Sequence, residues 1–398
     1  MQRTRLPALP ARLIALLAAG FGLTGASGAA EAPPAGAVVA ESEVNDVAQL
    51  PPPGPHRLII GGDYRASVVR VIDGDKARLV GTMHSEPASN LVVDPGDKYY
   101  YLAETSFARG NRGRREDYIT IYDTQLRLVA EINLPGRLIS VPKTQTFDVS
   151  SDSHFAYVFN MQPAASVSVV DLLARKLATV VEVPGCGLVY PFGPNGFASL
   201  CSDGSAAIAV PAAKGGKYTV TRVARFFDAE KDPVFEDSPV DRQTGNALFL
   251  TYTGRVIPVA LGASPVFGEA WSLQQAAGQP LPSMEPELLA WRPGGSKVAA
   301  FHKASGRLYV LMHAGAHWSH KQDGTEVWVF DVAAKKRVAR YALKQPAGSI
   351  AVTQDAEPLL FAVSGGPMSS LTVLVANTGE SRGALPGVAG GILGVHGF

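Results

Sequence analysis

The feature of this sequence that most limits its fold is a unit that recurs along it: a short β-rich strand ending near an aspartate, a polar turn, then a second strand. It reads ASVVRVIDGDKARLVGTM from Ala66, DYITIYDTQLRLVAEINL from Asp117, ASVSVVDLLARKLATVVEV from Ala165 and AAIAVPAAKGGKYTVTRVARF from Ala206. It continues as GRVIPVALGASPVFGEAWSL from Gly254, TEVWVFDVAAKKRVARYAL from Thr325 and LTVLVANTGESRGALPGV from Leu371. The seven copies start mostly about 40 to 50 residues apart, with one longer gap before Thr325. Apolar and polar residues alternate in each with the period of a strand that buries one face. Most copies follow another strand pair built around a turn, such as LVVDPGDKYYYLAE, FDVSSDSHFAYVFN, LVYPFGPNGFASLCS, LLAWRPGGSKVAAFHK and IAVTQDAEPLLFAVS. Pro-Gly-Asp, Ser-Asp-Ser and Pro-Gly-Gly are turn chemistry, because Gly and Asp tolerate the backbone angles of a tight reversal. Two pairs make a four-stranded unit, and units of this period stack radially as blades. The pattern predicts an all-β, seven-bladed β-propeller of four-stranded blades.

The first copy lacks a full leading strand, whereas the chain ends in an unassigned apolar strand, GILGVHGF, residues 391–398. This last strand is expected to join the first blade and close the ring, removing the open edges of the sheets. Helix is expected only as a turn or two in GEAWSLQQAAG, inside the longer gap.

Ahead of the repeats lies a different kind of sequence. Arg3, Arg5 and Arg12 precede the apolar run Leu13 to Leu23, and Ser27-Gly28-Ala29-Ala30 supplies small residues for cleavage. Residues 1–30 read as a secretory signal peptide, too short in its apolar part to span a bilayer as a helix. Residues 31–56 form an Ala/Pro-rich N-terminal arm, and residues 57–398 form the propeller. Removing residues 1–30 takes three arginines and no acid from 36 basic and 35 acidic side chains, leaving 33 against 35 and a formal charge of −2. Such a balance gives no electrostatic case for nucleic acid or an anionic membrane.

An exported chain with two cysteines, Cys186 and Cys201, is expected to pair them. The segment between them reads as strand, turn and strand, so the two meet across a hairpin. Closing a loop of this size is worth roughly 3 kcal/mol. A redox C-x2-C pair would be closer together, and a structural zinc site needs four ligands.

No constellation in the chain announces catalysis. His313, His317 and His320 gather in HAGAHWSHK, but Gly and Ala between them fix no metal geometry, and a solvated or interface loop is the simpler reading. Arg109, Arg112, Arg114 and Arg115 gather in FARGNRGRRED, either as a solvated inter-strand loop or as a docking surface for a carboxylate-bearing partner. There is no phosphate-cradling glycine loop, no G-x-S-x-G elbow and no H-E-x-x-H helix. Asp73, Asp123, Asp171 and Asp331 recur at one place in their units and read as turn formers. No residue is assigned as catalytic, cofactor-binding or metal-binding.

Several segments together resemble the large subunit of the quinoprotein amine dehydrogenases, the methylamine and aromatic amine dehydrogenase family. They are FARGNRGRREDYITIYD, PAASVSVVDL, the pair PGCGLVYP and FASLCSDG, LTYTGRVIPV, WRPGGSKVAAFHKASGRLYVLMH, and HKQDGTEVWVFD followed by KKRVARYAL. The resemblance implies a periplasmic seven-bladed propeller in a complex of two large and two small subunits. It implies no cofactor in this chain: the small subunit would carry tryptophan tryptophylquinone, made from its own two tryptophans, and the aspartate base. The complex would oxidise a primary amine to an aldehyde and ammonia and pass electrons singly to a blue copper protein or a cytochrome c. The family places an aromatic residue of the first blade at the mouth of the substrate channel; the matching position here is Tyr64 in GGDYRAS, where the family has Phe and the alignment needs a gap.

Two other readings fit a propeller. One is a stand-alone periplasmic β-propeller binding protein without catalytic activity. The other is a hydrolase or lactonase, which would need a metal ringed by Asp, Glu, Asn or His at the channel. Fold alone does not choose among them.

Overall fold

The computed structural model describes residues 49–61, 67–138, 144–212, 217–366, 368–388 and 390–397. Residues 1–30, read above as a signal peptide, and residues 31–48 of the expected arm therefore lie outside the described residues. Seven antiparallel sheets stand in a ring, each a blade. From the axis outward, blade 1 runs Gly391–Val395, Arg57–Gly61, Val68–Asp73 and Arg78–His84. Blade 2 runs Asn90–Val93, Tyr99–Arg109, Arg112–Asp123 and Leu128–Leu134, and blade 3 Phe147–Val149, Phe155–Asn160, Ser166–Asp171 and Lys176–Glu182. Blade 4 runs Cys186–Phe192, Gly196–Cys201, Ala206–Pro211 and Tyr218–Val223, and blade 7 Ser349–Val352, Leu359–Val363, Ser370–Val375 and Ser381–Pro386. The predicted propeller is thus the observed fold.

The period of two explains the packing. Each inner strand lies between two neighbouring blades, so both of its faces are buried and successive side chains enter different seams. Leu58 and Ile60 pack with Phe361 and Val373 of blade 7, while Ile59 between them packs with Leu91 and Tyr100 of blade 2. In blade 6, Leu308, Val310 and Met312 face blade 5, whereas Tyr309 and Leu311 face blade 7. The buried apolar residues fall into seven clusters, one for each seam of the ring. Outermost strands bury one face only; Lys336–Ala347 alternates exposed and half-buried along most of its length.

The recurring aspartates close the turns into the outermost strands. Asp73 Oδ1 accepts from the Asp75 and Lys76 N–H groups, Asp123 Oδ1 from Gln125 and Arg127, Asp171 Oδ1 from Ala174, and Asp331 Oδ1 from Ala334. Ala77, Leu126, Arg175 and Lys335 follow in the left-handed region, with φ between 45° and 62°. The side-chain acceptor replaces a backbone partner, and that lets a non-glycine residue hold the turn.

Two blades depart from the expected pairing. WRPGGSKVAAFHK was expected to form a hairpin; instead Ala290–Pro293 and Ala299–His302 both pair with Arg307–Gly315, as two halves of one inner strand interrupted at Pro293-Gly294-Gly295. In blade 5 the inner position is taken by residues 234–240, held to Asn246–Leu250 by the bridges Val234 to Thr251 and Val240 to Ala247. Prolines at 233 and 239 remove two N–H donors there, and the Ser238 hydroxyl oxygen accepts from the Leu250 N–H at 3.2 Å. The single α-helical turn among the described residues, Leu273–Ala276, falls where helix was expected.

The Cys186–Cys201 disulfide joins directly opposed residues of the first two strands of blade 4, with Cα atoms 3.8 Å apart. Both cysteines belong to the seam with blade 3.

The C-terminal strand closes the ring as expected, pairing Leu58 with Val395, Ile60 with Ile392 and Gly61 with Gly391. A clasp follows it. His396 is fully buried; its N–H donates to Arg57 O at 3.1 Å, its Nε2 lies 2.8 Å from Tyr100 Oη, and its Nδ1 lies 3.0 Å from Asp97 Oδ1. Burial alone would raise the Asp97 carboxyl, but hydrogen bonds from His396 and the Gly397 N–H outweigh it and hold it below the ordinary 3.8. A carboxyl depressed by folding stabilises the fold fully above its unfolded value, and the contribution is lost as pH falls through the folded one. Melting temperatures measured from pH 6 down to about pH 2.5 should fall steeply below about pH 4, and Asp97→Asn should flatten part of that slope. An unchanged acid slope in Asp97→Asn would show that the clasp does not hold the closed ring.

Candidate functional site

Antiparallel blades divide the ring into two faces. Links between blades emerge with the turns joining second to third strands on one face, here the link face; the remaining turns emerge on the other. In the links and turns, exposed large apolar side chains are distributed unequally between them. Leu281, Met284, Leu288 and Leu289 line the link from blade 5 to blade 6, and Met161, Trp318 and Met368 sit in second-to-third-strand turns of blades 3, 6 and 7. Leu289 is 73% and Met368 83% exposed. The turns of the opposite face carry Leu173, and Leu79, Leu128, Leu177, Val266 and Val338 stand near the starts of outermost strands on that side. Clustered exposed hydrophobes of this kind mark a contact surface rather than scattered noise.

The same face carries a ribbon. FARGNRGRRED is not a loop: the ladder between Tyr99–Arg109 and Arg112–Asp123 continues to the pair Arg109 and Arg112. The inner strand pairs only as far as Ala103 and the outermost only as far as Asp117, so the two central strands run on beyond both neighbours. Residues 108–116 are all exposed.

Its root is cemented by buried polar groups. Arg137, in the link to blade 3, donates to Thr105 Oγ1 at 3.0 Å, Ala88 O at 3.0 Å and Asn90 Oδ1 at 2.6 Å. Thr105 in turn donates to Asp117 Oδ1 at 2.6 Å. Glu104 accepts from the Glu86 N–H at 2.7 Å and from the Thr120 hydroxyl, and burial pushes its carboxyl up despite them.

This geometry divides the four predicted arginines. Arg115 pairs with Asp117 at 2.9 Å and donates to Arg137 O, so it belongs to the foundation. Arg114 pairs with the exposed Glu116. Arg109 and Arg112, at the tip, have no ion pair among the described residues.

Replacing Arg137 with Ala withdraws a donor from three buried acceptors, of which Asn90 Oδ1 keeps the Thr146 hydroxyl at 3.2 Å, and should cost about 3 kcal/mol. It should also speed amide exchange at residues 104–116 more than elsewhere, readable by mass spectrometry. Uniform exchange across the chain would show that the ribbon is not anchored there.

The histidine cluster is dispersed by the fold. His313 lies inside the strand Arg307–Gly315, buried, with Nε2 2.8 Å from Ser319 Oγ. His320 stacks on Tyr252 at 3.8 Å, and His317 packs on Trp318, whose ring stands at 89° to Tyr252. Burial lowers the pKa of all three. The cluster makes an aromatic patch at the rim of blades 5 and 6, and among the described residues no group of three His, Cys, Asp or Glu side chains is placed to hold a metal.

The axial channel is lined by the inner strands and contains charges that sequence reading passed over. Arg242, from the first turn of blade 5, reaches Asp148 of blade 3 at 2.8 Å, and Lys297 of blade 6 lies 3.6 Å from Asp237 of blade 5. Burial raises the Asp148 carboxyl, with Arg242 opposing it. These residues stand alone in the sequence with no spacing signal; only ring closure brings blades 3, 5 and 6 together. Tyr64, the candidate channel residue, lies outside the described residues, between the strand ends at Gly61 and Val68.

Two tryptophans do meet: Trp291 and Trp328 lie 5.1 Å apart. Arg340 covers Trp291 and Arg337 covers Trp328, while Trp328 Nε1 donates to Glu326 at 2.7 Å. Trp328 is buried and Trp291 half-buried, and each ring is covered by a guanidinium group.

Comparison with known proteins places this architecture. The family described as methylamine dehydrogenase heavy chain (MADH) matches residues 62–390. The methylamine dehydrogenase heavy chain of Methylorubrum extorquens is 31% identical over 372 residues, 89% of this chain and 87% of that one. That of Methylophilus methylotrophus is 30% identical over 312 residues, 76% of this chain and 73% of its own. Among solved structures, the periplasmic gluconolactonase PpgL of Pseudomonas aeruginosa superposes with TM-score 0.59 at 15% identity, covering 84% of this chain and 97% of that one. The dihydro-heme d1 dehydrogenase NirN in complex with DHE superposes with TM-score 0.52 at 17% identity, over 85% and 75%. At such identities these two structures share the fold alone.

Proposed function

The chain belongs to the methylamine dehydrogenase heavy-chain family, and from that premise we propose that it is the large subunit of a periplasmic amine dehydrogenase. In this reading it is a rigid frame whose link face holds a small subunit and walls the path by which a primary amine reaches it. The quinone, tryptophan tryptophylquinone, resides on that small subunit and supplies the oxidising chemistry for conversion of amine to aldehyde and ammonia. Electrons then leave singly to a blue copper protein or a cytochrome c. Two large and two small subunits make the complex.

The observation that carries the reading is the unequal distribution of exposed apolar residues in the links and turns, gathered on the link face at Leu281, Met284, Leu288, Leu289, Trp318 and Met368. A buried interface core of Leu, Met and Trp suits a permanent partner. Among the described residues no helix is long and apolar enough to cross a membrane.

The experiment is purification from the native host under mild conditions. A small subunit should copurify, absorb as a quinone and lose that absorbance with a carbonyl reagent, while the isolated large subunit should oxidise no amine. A large subunit that purifies alone from its native host would instead favour a stand-alone binding protein.

A further inference from the structure

We infer that the arginine-tipped ribbon of blade 2 is a docking arm for a transient protein partner with an acidic surface, the redox protein that takes electrons from the complex. The inference rests on the proposed function for the existence of that partner.

The ribbon is built to reach outward. Residues 104–109 extend past the last pair of the inner strand, and residues 112–116 past that of the outermost strand. A two-stranded ribbon is marginal by itself. This one holds its course because Arg137, Thr105, Asp117 and Arg115 tie its root to the body of the blade.

Its charge is placed where it costs the fold something. Arg109 and Arg112 face each other directly across the turn Gly110-Asn111. Like charges at opposed positions destabilise a strand pair. Neither has an acidic partner among the described residues, whereas Arg114 and Arg115 just below each have one. Two exposed guanidinium groups side by side, each able to grip a carboxylate with two parallel hydrogen bonds, form a receptor for a pair of carboxylates.

The contact also differs in kind from the apolar surface described above. No large hydrophobic side chain is exposed on residues 108–116, while those of the link face stand chiefly at blades 5 to 7, across the ring. Charge without apolar area gives fast, salt-sensitive encounter rather than lasting attachment. That is the contact required by a carrier that must arrive, accept one electron and leave.

The test uses the complex as purified, with a fluorescent ten-residue aspartate peptide as probe, followed by anisotropy. At about 20 mM salt the wild type should bind it, and at about 200 mM affinity should fall at least about tenfold. Arg109→Glu/Arg112→Glu should weaken low-salt binding by about tenfold or more, while Arg109→Lys/Arg112→Lys should keep most of it. In a second arm, amine-driven reduction of succinylated cytochrome c, an acidic acceptor, should slow in the charge-reversed variant and that of native, basic cytochrome c should not. Equal peptide binding by wild type and charge-reversed variant would overturn the inference, as would no binding by the wild type. Loss of the small subunit from the charge-reversed variant would also overturn it, by assigning the ribbon to the permanent contact. A complex that oxidises no amine with a small dye defeats the proposed function, and the peptide titration still reads the ribbon.

Discussion

Deleting residues 391–398 should abolish the folded protein. Those residues supply the whole inner strand of blade 1, and Ile392 and Val395 sit in one cluster with Leu58, Ile60, Phe361 and Val388. Without them the strand Arg57–Gly61 becomes an open, fully buried-type edge, all five of whose residues are hidden in the intact ring. An unpaired apolar edge invites association with other chains. The expected outcome is insoluble or aggregated protein by size-exclusion chromatography. Because a truncated chain that fails to fold says little about degree, Ile392→Ala gives the graded version. It should cost about 3 kcal/mol through lost burial and the cavity left behind. For a domain of this size that is about 4 °C in melting temperature. A truncated chain that melts like the intact one would contradict the closure described above.

The second large effect concerns the link face. Leu288→Glu/Leu289→Glu places two charges where the proposed interface needs apolar area, at side chains that the isolated chain already exposes. The fold should therefore be unaffected, with far-UV circular dichroism and melting unchanged. The small subunit should no longer copurify, and amine-driven dye reduction should fall about 100-fold, the scale of losing an interface hot spot. Leu173→Glu, equally exposed on the opposite face, is the control and should leave both measurements as in the wild type. Equal losses in the two variants, or none in the first, would move the small subunit to another surface.

Much of this architecture was legible because its causes are local. The turn aspartates, the two-residue period of strands such as Val68–Asp73 and Ser166–Asp171, and the spare apolar segment at the C-terminus each follow from neighbours in sequence. Where local signals conflict with tertiary ones, the reading failed. Ala290–Pro293 and Ala299–His302 look like a hairpin because Pro-Gly-Gly marks a reversal, yet each half finds its partner in Arg307–Gly315 further on. Residues 234–240 show no alternation, since Glu236-Asp237-Ser238 and Pro239 interrupt it, and only their place in the ring sets them at the inner position.

The site was less legible for the same reason. The arginine cluster was visible by composition, but its division into foundation and free tip depends on Arg137, a single residue in the next link, and on where Leu128–Leu134 stops pairing. Arg242 with Asp148 and Lys297 with Asp237 are separated by far too many residues for any pattern to connect them. The exposed Leu281 to Leu289 segment reads as an ordinary Pro-rich linker until its side chains are seen to lack cover.

The position of the final strand has a consequence for how the protein is made. A ribosome delivers Arg57–Gly61 early and Gly391–Val395 more than 300 residues later, so blade 1 stays half-assembled through that whole stretch of synthesis. Until the closing residues emerge, the chain has no finished circle. A polypeptide released a few codons short would be left with no way to seal itself, and quality-control proteases would meet an open sheet instead of a finished product.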